Sequence, residues 1–170
     1  MSSFKPLARA AALLPLVLQL AAAQSTGAFS FLTYNVAGLP PIFNDNGVPG
    51  DKGVNSNIIG TKLANYDIAH LQEDFNYHAY IYETDKHPYR TPTTGGVPFG
   101  SGLNTVANFD WANTFKQIKW KKCNLNSGDC LTPKGFSFMR VEIAPGVEVD
   151  LYNLHGDAGY VPLLKHKGSY

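Results

Sequence analysis

Cysteine, charge and long apolar runs are all scarce in this chain of 170 residues. Two cysteines are too few for a disulfide-built scaffold or for a cysteine-rich zinc module. Charged residues make up only 16% of the chain and the formal net charge is +1, so no strong field exists to gather a polyanion such as nucleic acid. No apolar run reaches the roughly 20 residues that a membrane-spanning helix requires. There is no Asn-x-Ser/Thr acceptor, so no N-glycan is expected, and there is no internal repeat or low-complexity tract. What is present is ordinary for a globular protein: a 44% hydrophobic fraction and a length suited to one domain.

The first residues stand apart. Lys5 and Arg9 form a positive leader, residues 10–22 a short apolar run, and Ala21 and Ala23 the small-x-small pattern read by signal peptidase. A signal peptide is therefore expected over 1–23, with a secreted domain over 24–170. Without Lys5 and Arg9 the chain keeps 12 basic against 13 acidic side chains. In a secreted chain, Cys123 and Cys130 of "CNLNSGDC" read as one short-loop disulfide.

Alternation and β-branched or aromatic content predict strands at "FSFLTYNV" (29–36), "YDIAHLQE" (66–73) and "YHAYIYE" (77–83). "FSFMRVEIAPGVEVDLYNLH" (136–155) predicts a hairpin turning at Pro145-Gly146. Residues 54–66 predict a short amphipathic helix through Ile58, Ile59 and Leu63, weakened by Gly60. Strand, helix, strand and then hairpin point to a mixed α/β architecture.

With a side-chain period of two, Phe29, Phe31, Thr33 and Asn35 share a face. So do Ala69, Leu71 and Glu73, and so do Leu151, Asn153 and His155. Three strands thus finish on a polar group, Asn35, Glu73 and His155, where α/β proteins commonly build ligand sites. Bland readings stand beside this one. Glu73 could be a solvated strand-end carboxylate, Asn35 a turn residue before Gly38, and His155 a loop histidine paired with Asp157. "HLQEDFNYH" invites a metal site from His70, Glu73 and His78, but alternation sets His70 on the face opposite Glu73. Lys116, Lys119, Trp120, Lys121 and Lys122 form a basic cluster that reads chiefly as a solvated face, with nucleic acid or anionic lipid as the functional alternative.

"TYNVAGLP", "LQEDFNYH", "SGLNT", "KGFSFMRVE" and "YNLHGDAG", in that order, resemble the endonuclease/exonuclease/phosphatase superfamily. That superfamily includes deoxyribonuclease I, secreted sphingomyelinases and inositol polyphosphate 5-phosphatases. The resemblance runs from about Phe29 to Gly159. It implies a four-layer α/β/β/α sandwich, of which this chain would supply the N-terminal half, mostly one mixed or antiparallel sheet with a flanking helix and long loops. It further implies a metal-dependent hydrolase of phosphoric ester bonds. Glu73 and Asn35 would be metal ligands, Asn35 and His155 catalytic groups, and Mg²⁺ (or Mn²⁺ or Ca²⁺) the cofactor. The implied substrate is a phosphoester, whether nucleic acid, phospholipid or inositol phosphate. A monomer without a stable protein partner is expected.

The chain departs from the family pattern downstream. The family places an Asp-x-Asn and a closing Ser-Asp-His after the histidine, where the latter's Asp and His activate the attacking water. No Ser-Asp-His occurs here, and the Asp-x-Asn formed by Asp74 and Asn76 precedes His155. The tail over 160–170 reads as an aberrant end produced by a truncated gene, a retained intron or a frameshift. Low or no activity follows, with one sheet face left without a partner. The alternative functions are a non-catalytic degenerate member of the family or a small secreted binding module.

Overall fold

The computed structural model describes residues 27–44, 46–92, 100–123 and 129–157. The leader expected over 1–23 and the tail expected over 160–170 lie outside them. The elements run β1 (Phe31–Asn35), α1 (Lys52–Leu63), β2 (Ile68–Gln72), α2 (His78–Thr84), β3 (Tyr89–Arg90) and β4 (Asn104–Ala107). They continue through β5 (Lys116–Lys119), a short 3-10 turn (Asp129–Leu131), β6 (Gly135–Ala144) and β7 (Val147–His155).

Where one dominant sheet is expected, two form. The first has the order β1-β2-β4-β3 and the second β5-β6-β7. β1 and β2 are parallel, joined through α1, and the other pairs are antiparallel. The anticipated hairpin is β6–β7, turning at Pro145-Gly146, where Gly146 takes φ 73°, a conformation suited to glycine. Cys123 and Cys130 are disulfide-bonded.

Alternation along β2 sorts two cores. Ala69 and Leu71 join Leu63, Ile81 and Val106 beneath the helices. Ile68 joins Ala107, Met139, Val141 and Leu151 between the sheets. The layer between the sheets becomes polar towards the end of β2. There Thr105 Oγ1 contacts His70 Nδ1 at 2.8 Å, and Gln117 bonds to Ser101 across the gap.

Two sequence expectations change. Residues 77–83 are not a strand; Tyr77 is the N-cap of α2 and the rest lie in it, with Ile81 fully buried and the rings of His78 and Tyr82 in tilted contact one turn apart. Their aromatic content mimics a strand, but the buried position and the i, i+4 contact belong to a helix. In α1 the buried face is not Ile58, Ile59 and Leu63 together. It is a stripe of small residues, Gly53, Ser56 and Gly60, ending in Leu63, while Ile58 faces solvent. Asp51 caps this helix, its side chain accepting from the Val54 amide at 2.9 Å.

The open sheet face is also not the anticipated one. The inner faces of the two sheets cover each other. The outer face of β5–β7 carries exposed Ile118, Trp120, Tyr152 and Leu154, tied by ring contacts of Phe136 with Trp120 and of Tyr152 with Phe136 and Phe138.

Buried His70 makes a pH prediction. Loss of water from its imidazole pushes its pKa from 6.5 down to about 4. An unfolded chain binds that proton first, so the contribution of neutral His70 is complete above about pH 6.5 and is lost as pH falls through 4. The loss amounts to about 3 kcal/mol. Urea unfolding at pH 7 and pH 4.5 is expected to show a fall in stability that is much smaller in His70→Leu. An equal fall in both proteins would contradict the assignment.

Candidate active site

Parallel pairing sets Asn35, the last residue of β1, against Gln72, the last of β2. Glu73 therefore leaves the sheet beside Asn35. From the opposite sheet β7 delivers His155, whose Nε2 lies 3.6 Å from Glu73 Oε1. Both side chains are well shielded, at 11% and 25% exposure. The three polar strand tips thus meet across the seam between the sheets.

Glu73 reaches this seam by breaking the rule that predicted its orientation. Alternation assigns it to the helix side with Ala69 and Leu71. Its φ is 58°, a left-handed conformation that non-glycine residues seldom adopt, and the turn carries its carboxylate towards His155. His155 does most to hold the Glu73 carboxyl below its ordinary pKa. Asn35 acts in the same direction, as does the charge of Lys134, against the upward pull of burial. Glu73 is therefore an anion at neutral pH.

Asn35 has two aspects. Its Oδ1 accepts from the Ala37 amide at 2.9 Å, so it is a turn residue as well as a neighbour of Glu73. His155 Nδ1 is buried without a hydrogen-bond partner among the described residues. Asp157 is exposed, as are Lys116, Lys119, Trp120, Lys121 and Lys122. Trp120 nevertheless supports the site, since its Nε1 donates to the His155 carbonyl at 2.9 Å. His78 Nδ1 lies 4.0 Å from Asp74 and His70 is buried against Thr105. Among the described residues no three His, Cys, Asp or Glu side chains form a metal-binding group.

Sequence reasoning missed the support beneath the site. Asn153 Nδ2 donates to the carbonyls of Leu71 and Asn104, each at 2.9 Å. Its Oδ1 accepts from Gln72 Nε2 at 2.7 Å, and the same amide donates to Thr33 Oγ1 at 3.1 Å. One amide thus fastens β7 to β2 and β4, two residues before His155. Its place on the His155 face was legible; its partners in the other sheet were not. Buried Lys134, next to Gly135, the cross-strand partner of His155, was likewise unremarked.

No protein-family model matches the chain. Sphingomyelinases of Mycobacterium bovis and Mycobacterium tuberculosis are 38% identical to it over 144 residues, 81% of this chain. The chain spans 28% of the length of those relatives. A β-hairpin deletion mutant of Staphylococcus aureus beta toxin superposes with a TM-score of 0.61 at 18% identity, over 76% of this chain and 51% of the toxin chain. Sphingomyelinase C of Streptomyces griseocarneus gives 0.60 at 17% identity, over 78% and 50%. Two stacked sheets and these structural neighbours show the deoxyribonuclease I-like fold, and the sequence kinship of the chain is with sphingomyelinases.

Proposed function

We propose that this chain carries part of the catalytic centre of a secreted, divalent-metal-dependent phosphodiesterase of the sphingomyelinase type, acting on phospholipid. The observation that carries the reading is the meeting of Asn35, Glu73 and His155 at the ends of β1, β2 and β7. The names of the relatives favour phospholipid over nucleic acid or inositol phosphate. The leader over 1–23 supports export, and among the described residues no helix is long and apolar enough to cross a membrane.

The donor set fits a hard cation. Glu73 offers an ionised, half-shielded carboxylate and Asn35 an amide oxygen. An ion such as Mg²⁺, which keeps several of its waters, needs few protein ligands; Mn²⁺ or Ca²⁺ would find the same oxygen donors. When bound, the ion supplies Lewis-acid polarisation of the phosphoryl group.

Hydrolysis joins a water oxygen to phosphorus, breaks the ester P–O bond and delivers one proton to the departing oxygen. His155 Nε2 is placed to hydrogen-bond a phosphoryl or leaving oxygen, with Glu73 orienting its ring. Asn35 steadies the carboxylate. The groups that activate water in the family belong to motifs after the histidine that are not among these residues.

Hydrolysis of a chromogenic phosphodiester and of sphingomyelin, with Mg²⁺ or with EDTA, tests the proposal. Turnover that disappears with EDTA and in Glu73→Ala is expected. A rate indifferent to both would overturn the catalytic reading. No turnover with any metal would favour a non-catalytic member of the superfamily.

A further inference from the structure

The geometry points to Gly38 and Gly102 as positioning residues that hold Glu73 in its left-handed turn and so aim its carboxylate across the seam. The inference rests on the reading above only where it concerns ion binding. The sequence motifs "AGLP" and "SGLN" have no role in the chemistry described so far. In the structure both close on the same peptide. From one side the Gly38 amide donates to the Glu73 carbonyl at 2.8 Å, and the Gly38 carbonyl accepts from Asn76 at 3.2 Å. A Cβ on Gly38 would stand 2.5 Å from the Glu73 carbonyl oxygen, which no backbone tolerates without moving.

From the other side the Gly102 carbonyl accepts from the Asp74 amide at 3.0 Å. Gly102 itself takes φ 66°, and a Cβ there would lie 3.0 Å from Glu73 Cα and 2.7 Å from the Phe75 ring. The turn is tied down further along the chain. Asp74 Oδ2 accepts from Asn104 Nδ2 at 2.7 Å, and the same amide donates to the Tyr82 hydroxyl at 2.7 Å.

A non-glycine residue at positive φ is a strained choice that persists when its surroundings over-determine it. Here two glycines provide the room and the hydrogen bonds. β1 ends on Asn35 and the loop directly after it carries Gly38, so the residue that shapes the turn travels with the residue that touches its carboxylate. Without the turn, the strand period would send Glu73 to the helix side, away from His155.

The test compares backbone and ion readouts in the full chain. Alanine keeps the strain at position 73 and glycine relieves it, so Glu73→Gly is expected to melt about 2–4 °C above Glu73→Ala. Equal midpoints, or glycine below alanine, would overturn the proposal. Gly38→Ala is expected to weaken Tb³⁺ binding, followed by luminescence, at least tenfold; wild-type affinity in that variant would also overturn it. If Gly38→Ala fails to fold, the Glu73 pair still decides. If wild type and Glu73→Ala bind Tb³⁺ alike, the metal role of Glu73 falls, and the melting order alone judges the positioning.

Discussion

Asn153→Leu is expected to lower stability by about 3–5 kcal/mol. Leucine keeps the γ-branched outline of the buried asparagine but is bulkier and has no donors. The carbonyls of Leu71 and Asn104 would lose their bonds from Nδ2, and the Gln72 amide its Oδ1 acceptor. Each buried group left unpaired costs about 1–3 kcal/mol, and two of the three are backbone atoms that cannot turn away. Asn153→Asp sharpens the point. It preserves the shape but sets a carboxylate oxygen against two carbonyl oxygens, so it should be at least as damaging. Urea denaturation measures both. A leucine variant within about 1 kcal/mol of wild type would show that the sheets are fastened by something else.

Gly60→Ala should also be severely destabilising, by about 2–3 kcal/mol or more. Helix propensity predicts the opposite sign, because alanine is favoured over glycine in a helix interior by about 1 kcal/mol. Packing decides. A Cβ at position 60 would overlap the Ile81 carbonyl oxygen and Thr84 Oγ1 of α2, and backbone cannot step aside as a side-chain tip can. Thr84 Oγ1 is itself engaged with the Asn57 carbonyl at 2.6 Å, so the two helices are already in close contact at this turn. Ile58→Ala, on the exposed face of the same helix, is the control and should change stability little. Thermal or urea unfolding of the pair reads the result, and a stabilised Gly60→Ala would refute the close-packing account.

The legible parts of the sequence were those governed by local rules. Strict alternation and Pro145-Gly146 announced the β6–β7 hairpin, and the polar tips of β1, β2 and β7 marked the seam. The illegible parts were those where a distant partner overrode a local preference. Tyr80, Ile81 and Tyr82 have the composition of a strand, yet α1 buries Ile81 on a helix. Gly60 reads as a weakness and is instead the contact that lets α2 approach. Glu73 obeys alternation until a positive φ turns it over, and nothing in a glutamate announces that turn. Its cause lies in glycines far away in the chain, at positions 38 and 102. The edge strand β5 was hidden within a lysine-rich stretch that reads as solvated surface.

The seam itself carries a corollary for timing. Glu73 belongs to one layer and His155 to the other, so neither layer owns the pair. Their spacing is a gauge of how far the sandwich has closed. A nascent or loosened molecule keeps every one of these side chains and still lacks the arrangement, so competence would arrive only as the last clasp shuts.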